Sequence, residues 1–550
     1  MPRERIANLG EIGLNTDIAP TLQPANTVNG LYNVLPVNGS LETARGELKL
    51  FDIDIEPLYH TAYRSFKFDG PAGRQWFIVS NGVDVYAYHR QADGTLITEK
   101  ITPTADDTAT GAQRPWAGGL VSFADLNGVL VVNSETNGPF FWPGPGAPTT
   151  KPLKALPGWG ADWTCTYMVA HRYGLFALGM TEGDDYYPYK LRWSNSAAEG
   201  ELPTEWVATA ANDAGDDLLG ETPGIIKGGA SVRGQLFVVK EDAVYRARWV
   251  GGTFIYAIER LQGTIGTTAP QGWSEVQGTL AILTGADVLI YDGQRQVSVT
   301  DKVVRTAIFE GLSKEYWERC LLYYHSPTER LYVATVAQGT RLSEAYVYDS
   351  INKTWGHRAL NQTLGFDEAY ITLTTSAPSW DEMDDFTWNE WVNSTWNKGV
   401  YQSSVPDLVM YESNGLVSTD PEAKYWISLI VDGRNRDSQD RVKNCTVRKV
   451  GLPINGAPGL AMITDVWFEI EGTNEITLRV GAQEVEKGAI TWASTYASDP
   501  DATGTFNPQT EVHLDTRLTG RFLAWEIQSQ NDNRWVLSAI TYNWESAGER

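Results

Sequence analysis

The chain has 550 residues, too many for one ordinary core, so it holds several domains or one large repeat architecture. Apolar residues at 42% and charged residues at 20% match globular usage and exclude a disordered polymer, while 52 Gly, 26 Pro, 21 Trp and 25 Tyr favour short strands and tight turns over long helices. A formal net charge of −24, from 68 acidic against 44 basic residues, disfavours tight binding to nucleic acid or to an anionic membrane surface.

The opening stretch, MPRERIANLGEIGLNTDIAP, is charged at once and has no apolar h-region, which predicts no classical secretion signal. No apolar run elsewhere approaches the ~18 residues of a spanning helix, so a soluble chain made in a cytoplasm is expected. Residues 1–60 read as an extended arm with the first strands, packing on something else and ordering on assembly.

Residues 61–423 repeat one pattern in seven places: a short apolar strand, a polar turn, and a second strand ending in aromatics. The hairpins start at Arg74 (RQWFIVSNGVDVYAYHR), Leu126 (LNGVLVVNSETNGPFFW), His171 (HRYGLFALGM) and Val232 (VRGQLFVVKEDAVYRARW). Three more start at Val276 (VQGTLAILTGADVLIYDG), Glu329 (ERLYVATVAQGTRLSEAYVYD) and Pro406 (PDLVMYESNGLVSTD). Alternation of Val83, Val85 and Ala87 with Asp84, Tyr86 and Tyr88 puts one set on a buried face. A lone hairpin cannot bury its apolar face, so the repeats must stack; their spacing of roughly 45 to 60 residues suits four-stranded propeller blades. The predicted class is all-β, a β-propeller of hairpin-repeat blades with an added antiparallel sheet or sandwich; periodicity leaves the blade number open.

One short helix is predicted within Thr300–Cys320, a packed connector with Val304, Ile308 and Leu312 on one face, Thr300 or Asp301 as cap, and Gly311 weakening the middle. Residues 379–399, SWDEMDDFTWNEWVNSTWNKG, then set Trp380, Trp388 and Trp396 at intervals of eight, with Trp391 between. An EF-type calcium loop is excluded, because in a loop that begins at Asp381 the third and sixth positions are Met383 and Phe386. Eight is even, so an extended chain points the three indoles to one side, whereas a helix rotates them about 80° per step. A sugar-stacking platform remains open, but these four tryptophans are assigned to packing or subunit contact. From 424 to 550 the style changes to consecutive strands of a closing sheet or sandwich: CTVRKVGLPI, ITDVWFEIEG, EITLRVGA, GAITWAST, TEVHLDTR, TGRFLAWEIQSQ and RWVLSAITYNWES.

Chemistry-bearing signals are sparse. No nucleophile elbow, zincin motif, phosphate loop or dinucleotide fingerprint occurs in a strand-turn-helix setting. The six histidines are scattered, and Cys165, Cys320 and Cys445 fit neither a disulfide framework nor a zinc knuckle. Acidic doublets at Asp184–Asp185 and Asp216–Asp217 are the material for a glycosidase pair, which must face each other across a groove. No catalytic residue, cofactor or metal site is therefore assigned.

In its order of motifs the chain resembles the tail nozzle proteins of short-tailed bacteriophages (podoviruses), the tail tubular protein B family. The likeness lies in GLNTDIAPTLQPANTVNGLYNVLPVNGSLETARG, in YKLRWSNSAAEGELPTEW followed by VRGQLFVVKEDAVYRARW and YDGQRQ, and in the closing ITWASTYASDPDATGTFNPQTEVHLDTRLTGRFLAWEIQSQNDNRWVLSAITYNWESAGER. The resemblance implies a propeller with added β modules, a homohexameric ring at the distal end of a virion tail, assembly in the host cytoplasm, an adjacent adaptor ring and tail fibres as neighbours, and passage of double-stranded DNA without tight binding. It implies a structural protein rather than an enzyme. Six copies of a chain at −24 carry −144, and a lumen sharing that sign repels the duplex from its wall. Two alternatives remain: a propeller or lectin-like module recognising a host receptor, and a polysaccharide depolymerase.

Overall fold

The computed structural model describes residues 2–53, 64–70, 74–81, 84–90, 95–103, 120–144, 152–252, 255–312, 314–337, 341–369, 406–414, 424–431, 435–454, 459–472, 476–493, 504–506, 508, 513–530, 532 and 534–547. Trp380, Trp388, Trp391 and Trp396 lie outside the described residues.

The fold is all-β. Among the described residues seven four-stranded antiparallel units follow one another: 64–100, 121–155, 163–218, 226–260, 273–298, 321–363, and a seventh built from 365–431 with Gly46–Ile53 as its fourth strand. They are numbered here as blades 1 to 7. The hairpins starting at Arg74, Leu126, Val232, Val276 and Glu329 supply the second and third strands of blades 1, 2, 4, 5 and 6, and those at His171 and Pro406 contain the second strands of blades 3 and 7. In blades 2, 4 and 5 the first and second strands join through Asn127-Gly128, Arg233-Gly234 and Gln277-Gly278, with φ positive at both residues of each pair. That is the two-residue turn whose twist suits a hairpin, and glycine adopts the second position without steric cost.

The blades form a closed ring. Their first strands, Arg64–Gly70, Val121–Leu126, Trp163–His171, Ile226–Val232, Trp273–Val276, Leu321–His325 and Gly365–Ala369, contact one another in that order, and the last contacts the first. A buried cluster fills each junction, and the one between blades 5 and 6 runs on into the core of the closing module: Trp76, Ile78 and Leu130 lie between blades 1 and 2, for example, and Val79, Tyr88 and Tyr411 between blades 7 and 1. Each fully buried side chain of this size contributes roughly 1.5–3 kcal/mol. Alternation in blade 1 is correspondingly weaker than the sequence suggests: Ala87 and Tyr88 are both buried, because a blade is covered on both faces by its neighbours.

Closure depends on distant parts of the chain. Tyr425–Val431, grouped by sequence with the closing module, is the third strand of blade 7 and pairs with Gly46–Ile53 from the N-terminal segment. The outer strand of blade 6, Thr354–Thr363, meets Val34–Val37 and leads into a larger sheet containing Ser40–Thr43, Trp535–Ser546, Ala461–Gly472 and Leu514–Gly520. A second sheet, Thr491–Trp492, Ile476–Gln483, Phe522–Ser529, Cys445–Pro453 and Gly30–Tyr32, packs against it, with Val466, Ile540 and Tyr542 sharing a core with Val447, Leu478 and Trp525. The N-terminal segment therefore packs on its own chain, contrary to the expectation of an arm awaiting an external partner. Arg3–Ala7 pairs with Ala539–Asn543, and Arg5 makes a two-pronged bond to Glu469 at 2.8 and 2.7 Å.

The connector helix is shorter than its sequence pattern. α1 covers Arg305–Glu310, and a kinked 3-10 segment follows over Lys314–Arg319. Neither Thr300 nor Asp301 caps it: the Thr300 hydroxyl donates to Asp287, and Asp301 pairs with Arg305 at 3.1 Å. The capping carboxylate is Asp17, whose two oxygens accept the N–H groups of Arg305 and Thr306, each at 3.0 Å.

Candidate functional site

Because first strands line a propeller axis, their side chains meet at its centre. There the ring encloses a half-open cavity of about 210 Å³, walled by residues of six of the seven first strands and the approach to blade 5. Three aromatic pairs stand in the wall. Phe66 and Phe123 stack at 5.8 Å between centroids, Tyr323 and Phe366 stack at 5.8 Å, and Tyr167 meets Trp273 edge-on at 5.7 Å. The last pair bridges blades 3 and 5 across blade 4, which is feasible only because Gly228 lies beneath it. A Cβ there would come within 2.4 Å of two Trp273 ring carbons.

The polar lining is neutral. The Ser122 hydroxyl is engaged, accepting the Met168 N–H at 3.0 Å. Ser65 and Gln271 also line the cavity and make no side-chain hydrogen bond among the described residues. The Gln271 backbone is fixed separately, its carbonyl accepting the Leu322 N–H at 3.0 Å. Among the described residues no charged side chain lines the cavity. Asp367 and Glu368 follow Phe366 along the chain; burial pushes Asp367 up to about 7 and raises Glu368 as well. As strand neighbours these two point to opposite faces and do not form a facing pair.

A second constellation locks the ring to the closing module. Glu47, from the outer strand of blade 7, receives Arg358 of blade 6 at 2.7 Å and Lys443 of the following loop at 3.0 Å on one oxygen, with the Ser438 N–H at 3.2 Å on the other. All three charged groups are buried. Burial alone would raise the Glu47 pKa, but Lys443 and then Arg358 outweigh it and hold the carboxylate below its ordinary range. Glu412 sits nearby without a cationic partner: burial, and then the Glu47 charge, push it up to about 8. One Glu412 oxygen accepts from Trp426 at 3.2 Å and from Ser428, and its other oxygen has no partner. These groups hold the fold together and offer no accessible chemistry.

The other sequence candidates are not brought together. Asp185 opens the third strand of blade 3, whereas Asp216 pairs in register with Arg192 near that strand's other end. Counted along the partner strand, where Asp185 stands opposite Glu182 and Arg192 opposite Ala177, the backbone separation is about 16 Å at 3.3 Å per residue, longer than the roughly 5–9.5 Å of a glycosidase pair. His171 and His325 are buried, hydrogen-bonded to Ser231 and Thr328 at 2.8 Å, and held down to about 4 by burial. Cys165, Cys320 and Cys445 are free and buried. Among the described residues no group of three His, Cys, Asp or Glu can hold a metal ion, and no helix is long and apolar enough to cross a membrane. The axial aromatics escape sequence reading because the recognisable hairpins are the second and third strands, while the pocket is built by the first.

No protein-family model matches the chain, and no curated protein matches it.

Proposed function

We propose that the chain is a structural component of a phage tail, the distal nozzle, acting as a homohexameric channel for DNA ejection. The observation that carries this reading is the order of the resembling motifs, from GLNTDIAP near the start through YKLRW to the final strands. The propeller with its added sandwich has the architecture that the resemblance implies, which supports it. The axial pocket adds a constraint: about 210 Å³ ringed by aromatics cannot pass a duplex whose major groove alone is about 12 Å wide. DNA must then run through a lumen between copies, with each propeller axis closed and set outside it. The charge of −24 suits such a wall, since phosphate contacts made by Lys and Arg would each have to be broken during passage.

Immunogold labelling of virions carrying this chain, with quantitative mass spectrometry of purified tails, tests the reading. Label at the distal tail tip and six copies per virion are expected; label on peripheral fibres, or a copy number that is not a multiple of six, refutes it.

A further inference from the structure

We propose that the axial pocket is a binding site for one neutral pyranose ring, such as the terminal residue of a surface glycan. The inference is independent of the conduit reading and stands or falls without it.

Size comes first. The cavity of about 210 Å³ exceeds the roughly 150 Å³ void that admits benzene and falls short of the roughly 300–1,000 Å³ of drug-sized sites, so it suits a single substituted ring. Charge comes second. With no ionised side chain among the described residues of the wall, a phosphate, carboxylate or ammonium would be desolvated without a counter-charge from them, which is costly. Polarity comes third. A wholly apolar ligand would cover the Ser65 hydroxyl and the Gln271 amide without satisfying them, at about 1–3 kcal/mol for each group left unmatched.

A pyranose meets all three conditions. Its axial C–H groups form an apolar face that packs against the electron-rich faces of aromatic rings, and its hydroxyls pair with the amide and hydroxyl at the rim. The aromatic wall is stiff before any ligand arrives: the Phe66–Phe123 and Tyr323–Phe366 rings are stacked at 22° and 23° between planes, and the Trp273 ring is seated over Gly228. Little side-chain entropy is lost on binding to such a site. Gln271 is the specificity element, because its backbone is tied to Leu322 while its side chain is unengaged.

The test is saturation-transfer NMR on the full chain with the methyl α-pyranosides of glucose, galactose, mannose and N-acetylglucosamine as probes, and indole as the aromatic control. At least one pyranoside should show saturable transfer, weakened roughly tenfold by Gln271→Ala, the loss expected for one good hydrogen bond. Phe123→Leu, which keeps an apolar wall but removes the ring, should weaken it as well, with circular dichroism and melting of both variants checked against the parent. The proposal is overturned if no pyranoside shows transfer, if transfer survives both substitutions unchanged, or if indole alone binds.

Discussion

Replacing Glu412 by Gln should abolish most of the stability loss that blade 7 suffers as pH rises. The Glu412 side chain is fully buried, one oxygen accepts from Trp426 and Ser428, and the other meets no donor, so the neutral acid is the form that the fold accommodates. In the unfolded chain the group titrates near 4.5, and in the fold at about 8. Its contribution is therefore complete below about 4.5, declines through the neutral range, and is lost as pH passes about 8. At ~1.4 kcal/mol per pH unit the loss across that interval is on the order of 5 kcal/mol. Glutamine keeps a carbonyl toward Trp426 and Ser428 and sets an uncharged amide where the unpartnered oxygen stands. Urea unfolding of both proteins at pH 5, 7 and 9, followed by tryptophan emission, should give similar midpoints at pH 5 and a higher midpoint for the variant at pH 9. Parallel midpoints across the whole range would show that Glu412 does not titrate as its surroundings require.

Glu47→Gln leaves Arg358 and Lys443 buried without their counter-charge and should cost about 3–5 kcal/mol in urea unfolding; a loss below 1 kcal/mol would mean that the buried pairs are not maintained. Asp17→Ala removes the carboxylate that caps α1 from the N-terminal segment and should cost about 1 kcal/mol, with faster hydrogen exchange at Arg305 and Thr306. Gly228→Ala forces the Trp273 ring to move and should destabilise by about 1–3 kcal/mol, with altered tryptophan emission, whereas unchanged emission would contradict the packing described for the pocket. Amides of Arg3–Ala7 and Gly46–Ile53 should be protected from exchange in the free chain, since their partners lie in the same molecule. Protection confined to assembled tails would reverse that assignment.

Much of the architecture is legible in the sequence because it is local. The seven hairpins announce themselves through X-Gly turns and apolar runs, and the strands of the closing module keep their alternation from Cys445 to Ser546. Partners are another matter. Glu47 meets Arg358 and Lys443 more than 300 residues away, and Asp17 caps a helix 288 residues downstream. Periodicity states which face of a strand is apolar, not which distant strand covers it. The same limit explains the misassigned cap: Thr300 and Asp301 have the right chemistry and position, but Asp287 and Arg305 engage them first. It also explains why Tyr425–Val431 reads as part of the closing module, since its pairing with Gly46–Ile53 leaves no local trace. The axial pocket is the least legible feature, because six short strands each contribute one to three residues to it and no two of those strands are adjacent in sequence.

The central claim is most directly tested by single-particle reconstruction of tails carrying this chain, imaged before and during ejection. Six copies around an open lumen are predicted, with duplex density on the shared axis and every propeller axis closed by its aromatic ring. Duplex density threading a propeller, or copies arranged as separate peripheral spikes, would contradict it.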